Sequence, residues 1–472
     1  MSNSNQDTIA AIATAPGKGG IGIVRLSGPL ALSIAGEVCQ KPLVANRACF
    51  RKFSFDQTQI DEGIAIYFPG PHSFTGEDVV ELQAHGGPVI LKVLTEACIS
   101  LGARAARAGE FSERAFLNDR MDLTQAEAIA DLINAGTKAA ARAAVRSLDG
   151  EFSKHINKLQ LQLTELRVFV EAAIDFPEEE IDFLLDDELQ ARIADLENLL
   201  STTIRDAKRG AMINEGAKIA IVGRPNAGKS SLINRLTQRD VAIVTEIAGT
   251  TRDSIEQRIE IGGAPITLVD TAGLNDSPDQ VEKLGIDRSK LHAEESDMLL
   301  VLFDSHASKL ESPEQLLGQY AKIISTDKPT LYVANKIDLS GLNPGVQKES
   351  SNVIGVSANT GSGIDALFQS IENQLDLGSG EPAFSARSRH IISLKRASGA
   401  LQEAVSNFKA QNSGELFAED LRAVQLTLSE ITGNLSADDL LGEIFSGFCI
   451  GCLLYTSPSP RDQRGSRMPS SA

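Results

Sequence analysis

Gly223-Arg-Pro-Asn-Ala-Gly-Lys-Ser230 fits the pattern G-x-x-x-x-G-K-[ST], and its flanks are as informative as its spacing. The apolar run Lys218-Ile-Ala-Ile-Val222 leads in and Ser231-Leu-Ile-Asn234 leads out, so a strand, a tight turn and a helix start follow one another. That order makes a phosphate cradle. Backbone N–H groups from Asn226, Ala227, Gly228, Lys229, Ser230 and Ser231 face anionic oxygens, helped by the positive end of the helix. Lys229 has the reach for β- and γ-phosphate oxygens and is a catalytic candidate, while the Ser230 hydroxyl suits Mg²⁺. A chance glycine-rich turn would lack this strand-to-helix context. The segment reads as a nucleotide-binding site.

Later segments decide which nucleotide. Leu268-Val-Asp270-Thr271-Ala272-Gly273 ends a second strand with an acid that can hold Mg²⁺ through water and a glycine N–H that can approach a γ-phosphate. Leu331-Tyr-Val-Ala-Asn335-Lys336-Ile337-Asp338 ends a third strand in the N-K-x-D pattern. A buried carboxylate at Asp338 would accept two N–H bonds from guanine, whereas adenine offers no matching edge. Val353-Ile-Gly-Val-Ser357-Ala358 supplies the loop that covers the base, and Gly249-Thr250-Thr251-Arg252-Asp253 is placed for a switch threonine, Thr251, on Mg²⁺. Any one of these could be a turn; in this order they predict a GTPase.

The catalytic arrangement departs from the usual one. Many such domains carry a glutamine after D-x-x-G to orient the attacking water. Here that position is Leu274, which cannot. Glu282 lies close in the same segment and could aim a water, although beside Lys283 it also reads as a solvated helix glutamate. Asn226, with carbonyls between Thr245 and Thr250, offers oxygen ligands for a monovalent cation in place of an arginine finger. Spacing alone leaves both readings open.

The surrounding elements divide the chain. Residues up to about 120 mix short strands, Ile21–Leu26, Gly63–Phe68 and Val79–Gln83, with glycine turns, and Pro88 opens a helix over Val89–Leu101. Gly17-Lys-Gly-Gly20 is glycine-rich without the spacing of a second phosphate loop. Leu159, Leu163, Leu166 and Val170 recur at helix spacing, as do Leu421, Val424, Leu428, Ile431 and Leu435, and such stripes form bundle cores. Glu178–Asp182 and Asp186–Glu188 read as solvated turns and helix starts. Helices on both sides of the nucleotide segment imply that it is inserted into one helical domain, closed by a linker at Gly378-Ser-Gly-Glu-Pro382.

A chain of 472 residues with five scattered cysteines and no signal peptide suits a cytoplasmic enzyme of about three domains. No apolar stretch reaches the roughly 18 residues of a membrane span. The net charge of −18 is unlike a protein that holds nucleic acid by its own basic face. Arg104, Arg107, Arg114 and Arg120 are the local basic candidates, with a solvated surface as the plainer reading.

The phosphate loop, Ile247-Ala-Gly-Thr-Thr-Arg-Asp253, Asp270-Thr-Ala-Gly-Leu274 and Asn335-Lys-Ile-Asp338 resemble the G domain of the tRNA-modification GTPase family MnmE, also called TrmE. Gly19-Gly-Ile-Gly-Ile-Val-Arg25-Leu-Ser27, Ser73-Phe-Thr-Gly-Glu-Asp78, Glu81-Leu-Gln-Ala-His-Gly-Gly87 and Gly109-Glu-Phe-Ser-Glu-Arg-Ala-Phe-Leu-Asn118 resemble its folate-binding N-terminal domain. Asp122-Leu-Thr-Gln-Ala-Glu-Ala128, Glu171–Pro177 and Leu440–Phe445 resemble its helical domain. The resemblance spans about residues 7 to 451. It implies a multidomain α/β chain: an α+β folate-binding dimerisation domain over 1–120, an all-α helical domain from 121–215 and 378–451, and an inserted P-loop GTPase domain over 216–377 with a doubly wound mixed sheet.

The same resemblance implies potassium-stimulated GTP hydrolysis, with K⁺ on Asn226, Thr245, Ile247 and Thr250 and with Glu282 positioning water. It implies a 5-formyltetrahydrofolate-type folate on Arg25, Glu81 and Arg120, the last standing where a lysine is common. The expected partners are GTP/GDP, tRNA, a second copy in a homodimer, and an MnmG-like protein carrying FAD, in a heterotetramer that modifies the wobble uridine at C5. The family chain ends in Cys-x-Gly-Lys. Here Cys449-Ile-Gly451 is followed by Cys452 and a Ser/Pro/Arg/Gly tail over 452–472 that reads as disordered and as a frame or read-through artefact. Gly447 also stands where a side chain is usual. Cys449 is the candidate C-terminal cysteine, and a small buried residue is the alternative. Competing classes are a ribosome-assembly or scaffold GTP switch, and a folate one-carbon transferase gated by GTP.

Overall fold

A computed structural model describes residues 7–175, 187–224, 226–238, 256–270, 295–307, 328–347, 350–378, 382–433 and 438–448. These described residues fall into two compact units, one from those before 131 and after 431 and the other from those between 131 and 431. The architecture is the expected one, with an α+β N-terminal domain, a helical domain and a nucleotide domain on a mixed sheet.

In the first unit, β1 (Ile9–Ile12), β2 (Gly19–Ser27), α1 (Ala31–Cys39), β3 (Cys49–Phe55), β4 (Thr58–Phe68), β5 (Val79–Gly86), α2 (Pro88–Ser100), β6 (Arg104–Ala105) and α3 (Glu110–Leu117) follow in order. The strands form a sheet in the order β3-β4-β5-β2-β1-β6. Alternation sorts its faces. Val24, Leu26, Phe53, Ala65, Val80 and Leu82 pack with Ile34 and Val38 of α1 and Leu91 and Leu94 of α2. Residues on the opposite side of the same strands include Arg25 and Glu81, which sit directly across from each other in register. The expected helix over Val89–Leu101 is α2, and Pro88 occupies its first turn, where no N–H is needed.

The arginines read as a local basic patch are mostly something else. Arg114 is only 4% exposed and donates to Glu77 (3.0 Å), to the Asp7 carboxylate (2.7 Å) and to Glu110 (3.3 Å). Arg104 donates to Glu110 (2.8 Å) and pairs with Asp7, and Arg107 pairs with Glu113 at 3.0 Å. Ser27 extends the network, donating to Glu77 (2.6 Å) and meeting the Thr75 hydroxyl at 2.7 Å. Arg104 and Arg114 neutralise the buried Glu110 together with Asp7 and Glu77, so their charge is spent within the network. Of the four, Arg107 and Arg120 are exposed, Arg107 with its partner Glu113 beside it.

The second unit begins within α4 (Leu123–Asn134) and continues through α5 (Lys138–Leu148), α6 (Glu151–Asp175) and α7 (Asp187–Glu215). The nucleotide segment follows as β7 (Ala217–Gly223), α8 (Lys229–Thr237), β8 (Glu256–Ile261), β9 (Ala264–Asp270), β10 (Met298–Asp304), β11 (Thr330–Asn335), α9 (Ile337–Ser340), β12 (Gly345–Gln347), β13 (Ser350–Gly355) and α10 (Ile364–Gln374). Helices α11 (Ser388–Gln411) and α12 (Gly414–Thr432) return to the bundle, and α13 (Asp438–Ser446) belongs with the first unit. There Phe445 and Phe448 pack with Phe116, Leu123 and Ala126.

Leu159, Leu163, Leu166 and Val170 of α6 are buried against α7, α11 and α12 together with Leu421, Val424, Leu428 and Ile431, as their periodicity predicts, and Leu435 lies outside the described residues. Phe408 stacks on Phe417 at the α11–α12 turn, with ring centroids 4.6 Å apart. The nucleotide sheet runs β12-β13-β11-β10-β7-β9-β8, parallel at its centre with antiparallel edges β8 and β12. β7 from Ile219 to Val222 and β10 from Met298 to Phe303 are continuous buried apolar runs, as expected where both faces of a parallel sheet are covered.

Bundle and sheet are joined with little slack. Gly216 is the single residue between α7 and β7; its φ is +80°, and a Cβ there would meet Pro265 O at 2.2 Å. Its N–H closes the helix on Met212 O at 3.0 Å. On the return, Arg146 donates to Pro382 O (2.7 Å), Ser385 N–H donates to Ser147 Oγ (2.9 Å), and Arg387 donates to the buried Asp131 carboxylate (2.6 Å). Of the expected linker, residues 379–381 lie outside the described residues, as do 178–182. The β8–β9 turn is also tied down: Thr137 Oγ1 accepts from Ala140 N–H to cap α5 and donates to Gly263 O at 2.7 Å.

The buried ion network has a pH signature. Burial alone would raise the Glu110 and Asp7 carboxyls, but hydrogen bonds and charge from Arg104 and Arg114 hold both below their ordinary range. Their contribution is therefore present above about pH 4 and is lost as pH falls through the depressed values. Glu110→Gln is expected to cost about 1–3 kcal/mol at neutral pH and to flatten the acid limb of the stability curve. Thermal unfolding of variant and parent from about pH 3 to 7 checks this, since parallel curves would mean that Glu110 does not titrate with folding.

Candidate functional site

The strands β7, β9, β10, β11 and β13 run parallel, so their carboxyl ends share one edge of the sheet. Gly223, Asp270, Asp304 and Asn335 end four of them, and Ser357-Ala358 follows the fifth. In an open α/β sheet this edge is where ligands bind. The order of motifs in the sequence thus becomes proximity in space.

The phosphate-loop turn is built by two left-handed residues, Asn226 at φ +65° and Gly228 at φ +94°. A Cβ at Gly228 would lie 2.3 Å from Asn335 Nδ2, so any other residue there must displace that amide. Lys229 opens α8 and is 7% exposed, with Nζ donating to Arg224 O at 3.1 Å and to Gly223 O at 2.5 Å. Burial pulls its ammonium below the ordinary lysine range, with Asp270 opposing. Carbonyl oxygens are weak partners for such a charge, so an anion delivered to the loop would be strongly favoured. Ser230 and Ser231 are exposed at the helix start, and Ser230 Oγ stands 3.4 Å from the Asp270 carboxylate. A hydroxyl and a carboxylate at that distance are the hard oxygen donors Mg²⁺ prefers.

Asn335 binds the parts together. It is 2% exposed; its Nδ2 donates to Ala227 O at 2.9 Å, and its Oδ1 accepts from Ala358 N–H at 3.1 Å. Lys336 follows in the left-handed region, φ +66°, and its Nζ pairs with Asp304 at 2.6 Å. Burial would raise the Asp304 carboxyl, but Lys336 and the N–H groups of His306 and Ala307 hold it below the usual range. Ser357 is fully buried, and Ala358 is nearly so.

One expectation needs correcting. Asp338 is exposed, in the first turn of α9, where the backbone turns outward after Lys336. Its carboxylate is placed at the edge of the site and is not sealed inside the protein. Two residues were missed from sequence. Asp304 ends the apolar run Met298–Phe303, a strand-end acid that could have been noticed. Arg235, near the end of α8, donates from Nε to Ala358 O at 2.8 Å and from a second nitrogen to Asn359 O, and no motif marks it. Thr245, Ile247, Thr250, Thr251, Thr271, Ala272, Gly273 and Glu282 lie outside the described residues, as does Cys449.

On the N-terminal sheet, Arg25 donates from Nε and Nη2 to Glu81 Oε1 at 3.1 and 2.9 Å. The Arg25 guanidinium lies 5.5 Å from the Phe74 ring centre and 5.8 Å from that of Phe111. Arg120 is exposed, its stem near Gly76. The thiols of Cys39 and Cys98 are pushed up to about 12 by burial, so neither is a ready nucleophile. No group of three or more metal-ligating side chains is found among the described residues, and no helix among them is long and apolar enough to cross a membrane.

Comparison with known proteins matches residues 8–120 to the GTP-binding protein TrmE N-terminus and residues 123–449 to the MnmE helical domain. The tRNA modification GTPase MnmE of Chromohalobacter salexigens is 51% identical over 94% of this chain and 98% of its own length. The chain belongs to the MnmE family. The Pseudomonas aeruginosa tRNA modification GTPase MnmE is 50% identical over 94% of this chain and 99% of its own. Among solved structures, the G domain of the T. maritima FeoB iron transporter is similar at 27% identity, over 34% of this chain and 98% of that one, with a TM-score of 0.26. As a family member the chain is a GTP hydrolase of tRNA modification, which sets aside the bare GTP switch.

The Gly228–Asn335 contact makes a direct prediction. Gly228→Ala is expected to displace the Asn335 amide and weaken GDP binding at least about tenfold, at a strain cost of roughly 1–3 kcal/mol. Titration with a fluorescent GDP analogue checks it, and parent-like affinity would mean that the turn relaxes without disturbing the site.

Proposed function

We propose that the chain hydrolyses GTP in a potassium-stimulated manner and, with an MnmG-like FAD protein, forms 5-carboxymethylaminomethyl- or aminomethyluridine at the tRNA wobble position. The observation that carries the GTP site is the Asn335 bridge, which places the phosphate loop and the base loop within one hydrogen-bonded frame. In this reading Asn226 to Ser231 cradle the phosphates, and Lys229 exchanges the carbonyls of Gly223 and Arg224 for β- and γ-phosphate oxygens. Asn335, Lys336, Asp338, Ser357 and Ala358 enclose the guanine. Asp338 takes two guanine N–H groups, and its exposure means that the bound base supplies the burial that makes this selective.

Ser230 and Asp270 fit Mg²⁺, with Thr251 as a further oxygen ligand; the ion neutralises charge on the β- and γ-phosphates. Asn226, Thr245, Ile247 and Thr250 would hold K⁺, and of these only Asn226 is among the described residues. Glu282 orients the attacking water, Leu274 being unable to, and the products are GDP and phosphate. Thr271, Ala272 and Gly273 complete the γ-phosphate side.

A folate of the 5-formyltetrahydrofolate type fits Arg25, Glu81 and Arg120 to this extent: both Arg25 bonds fall on Glu81 Oε1, leaving Oε2 for the N–H groups of a pterin. The domain assignment follows, with 1–120 for folate and homodimerisation, 121–215 and 378–451 helical, 216–377 the G domain and 452–472 a tail. Cys449 remains the thiol candidate. The chain works in the cytoplasm as a homodimer and, with its FAD partner, as a heterotetramer on tRNA, which the partner's charge helps to hold against this chain's −18.

Single-turnover GTP hydrolysis in K⁺ and in Na⁺ at equal ionic strength tests the core of this reading. Marked stimulation by K⁺ is expected, and equal rates would reduce the chain to a conventional GTPase. Glu282→Ala should leave GTP binding nearly intact and slow hydrolysis severely; an unchanged rate would remove the water-positioning role. Asp338→Asn should shift preference toward xanthosine nucleotides in competition assays, and persisting guanine preference would remove that assignment.

A further inference from the structure

We propose that Arg235 is a positioning residue for guanine recognition, fixing the Ser357–Ser362 turn from the far end of the same helix that carries Lys229 and Ser230. The inference rests on the reading of this edge of the sheet as the GTP site and goes beyond the motifs that define it. Arg235 lies six residues after Lys229, roughly 9 Å along α8. Its Nε donates to Ala358 O at 2.8 Å and its Nη2 to Asn359 O, so one planar group holds two successive carbonyls.

The turn is already folded on itself, with Ser357 N–H donating to Ser362 O at 2.9 Å, Gly361 N–H to Ser357 O at 2.8 Å, and Thr360 N–H to Ser357 Oγ at 3.1 Å. Those bonds fix its shape, and the Val356 N–H bond to Ala334 O (2.8 Å) anchors only its start. The side-chain hold comes from outside, through Asn335, which takes the Ala358 N–H, and Arg235, which takes the Ala358 carbonyl. Ala358 is thus pinned from both sides, once by the N-K-x-D strand and once by the phosphate-loop helix. Without Arg235, a nearly buried carbonyl loses its partner, and beyond the backbone bond of Val356 to Ala334 the turn is held by Asn335 alone.

The proposed role separates base reading from chemistry. Arg235→Met keeps much of the stem and removes both donors. It is expected to raise the Kd for GDP about tenfold, speed GDP release by a similar factor, and narrow the preference for GDP over inosine and xanthosine diphosphates. The loss should appear in KM, with kcat altered by no more than about twofold. Arg235→Lys, able to offer only a point donor, should recover part of the affinity. A residue that merely braced the fold would lower thermal stability without moving base preference.

The measurement is stopped-flow release of a fluorescent GDP analogue, with competition by the inosine and xanthosine diphosphates, on full-length parent, Arg235→Met, Arg235→Lys and Asp338→Asn. Faster release and narrowed preference in Arg235→Met, partly restored in Arg235→Lys, are the expected result. Parent-like release and preference in Arg235→Met, alongside altered preference in Asp338→Asn, would overturn the role of Arg235 and leave the site standing. A parent that binds no GDP would overturn the site itself. Should Arg235→Met fail to fold, Arg235→Lys decides alone, and parent-like release in it would count against the proposal.

Discussion

The side chain of Asn335 is the constraint on which the nucleotide half of the molecule depends. It is almost completely buried, at the end of a central strand, and spends its amide on Ala227 O and its carbonyl on Ala358 N–H. Three separate loops therefore share one polar atom set, and none can move without leaving a buried partner unsatisfied. Gly228 is needed because this amide comes so close, and Asp304 is needed to hold the neighbouring Lys336. The packing around it is ordinary: parallel strands with buried apolar residues on both faces, one of them covered by described helices.

What was legible in the sequence follows from how local each cause is. A phosphate loop is a strand, a turn and a helix in unbroken succession, so its pattern carries its own geometry. The stripe Leu159 to Val170 carries its face in the same way. Contacts between distant positions do not. Asp7 and Arg104 stand 97 residues apart, and nothing near Arg104 shows that its charge is consumed by a carboxylate from the chain's start and by Glu110. Exposed and buried arginines look alike as letters. Asp338 shows the reverse error: its motif was legible, but burial depends on where the strand ends and the backbone turns outward.

The buried ions of the N-terminal unit also bear on the strong negative charge. Arg104 and the buried Arg114, which would otherwise offset the surface, are held by Asp7, Glu77 and Glu110. The potential presented to solvent is set by the remaining groups, which are mostly acidic. Such a surface repels a phosphate backbone at long range, so approach to nucleic acid depends on ionic strength and on whatever positive surface a partner brings.

Gly216 is the one residue between a long helix and β7, an interior strand of the nucleotide sheet. Each residue of helix turns the chain by roughly 100° and advances it about 1.5 Å. The length of α7 therefore acts as a phase setting, as a keyway fixes a gear on a shaft. Adding or removing a single residue in its last turns would rotate the strand's entry by more than a quarter turn while barely altering its reach. The Thr137–Gly263 tie and the Asp131–Arg387 clamp could then no longer be met at once. At this joint, the geometry tolerates a change of composition far more readily than a change of length.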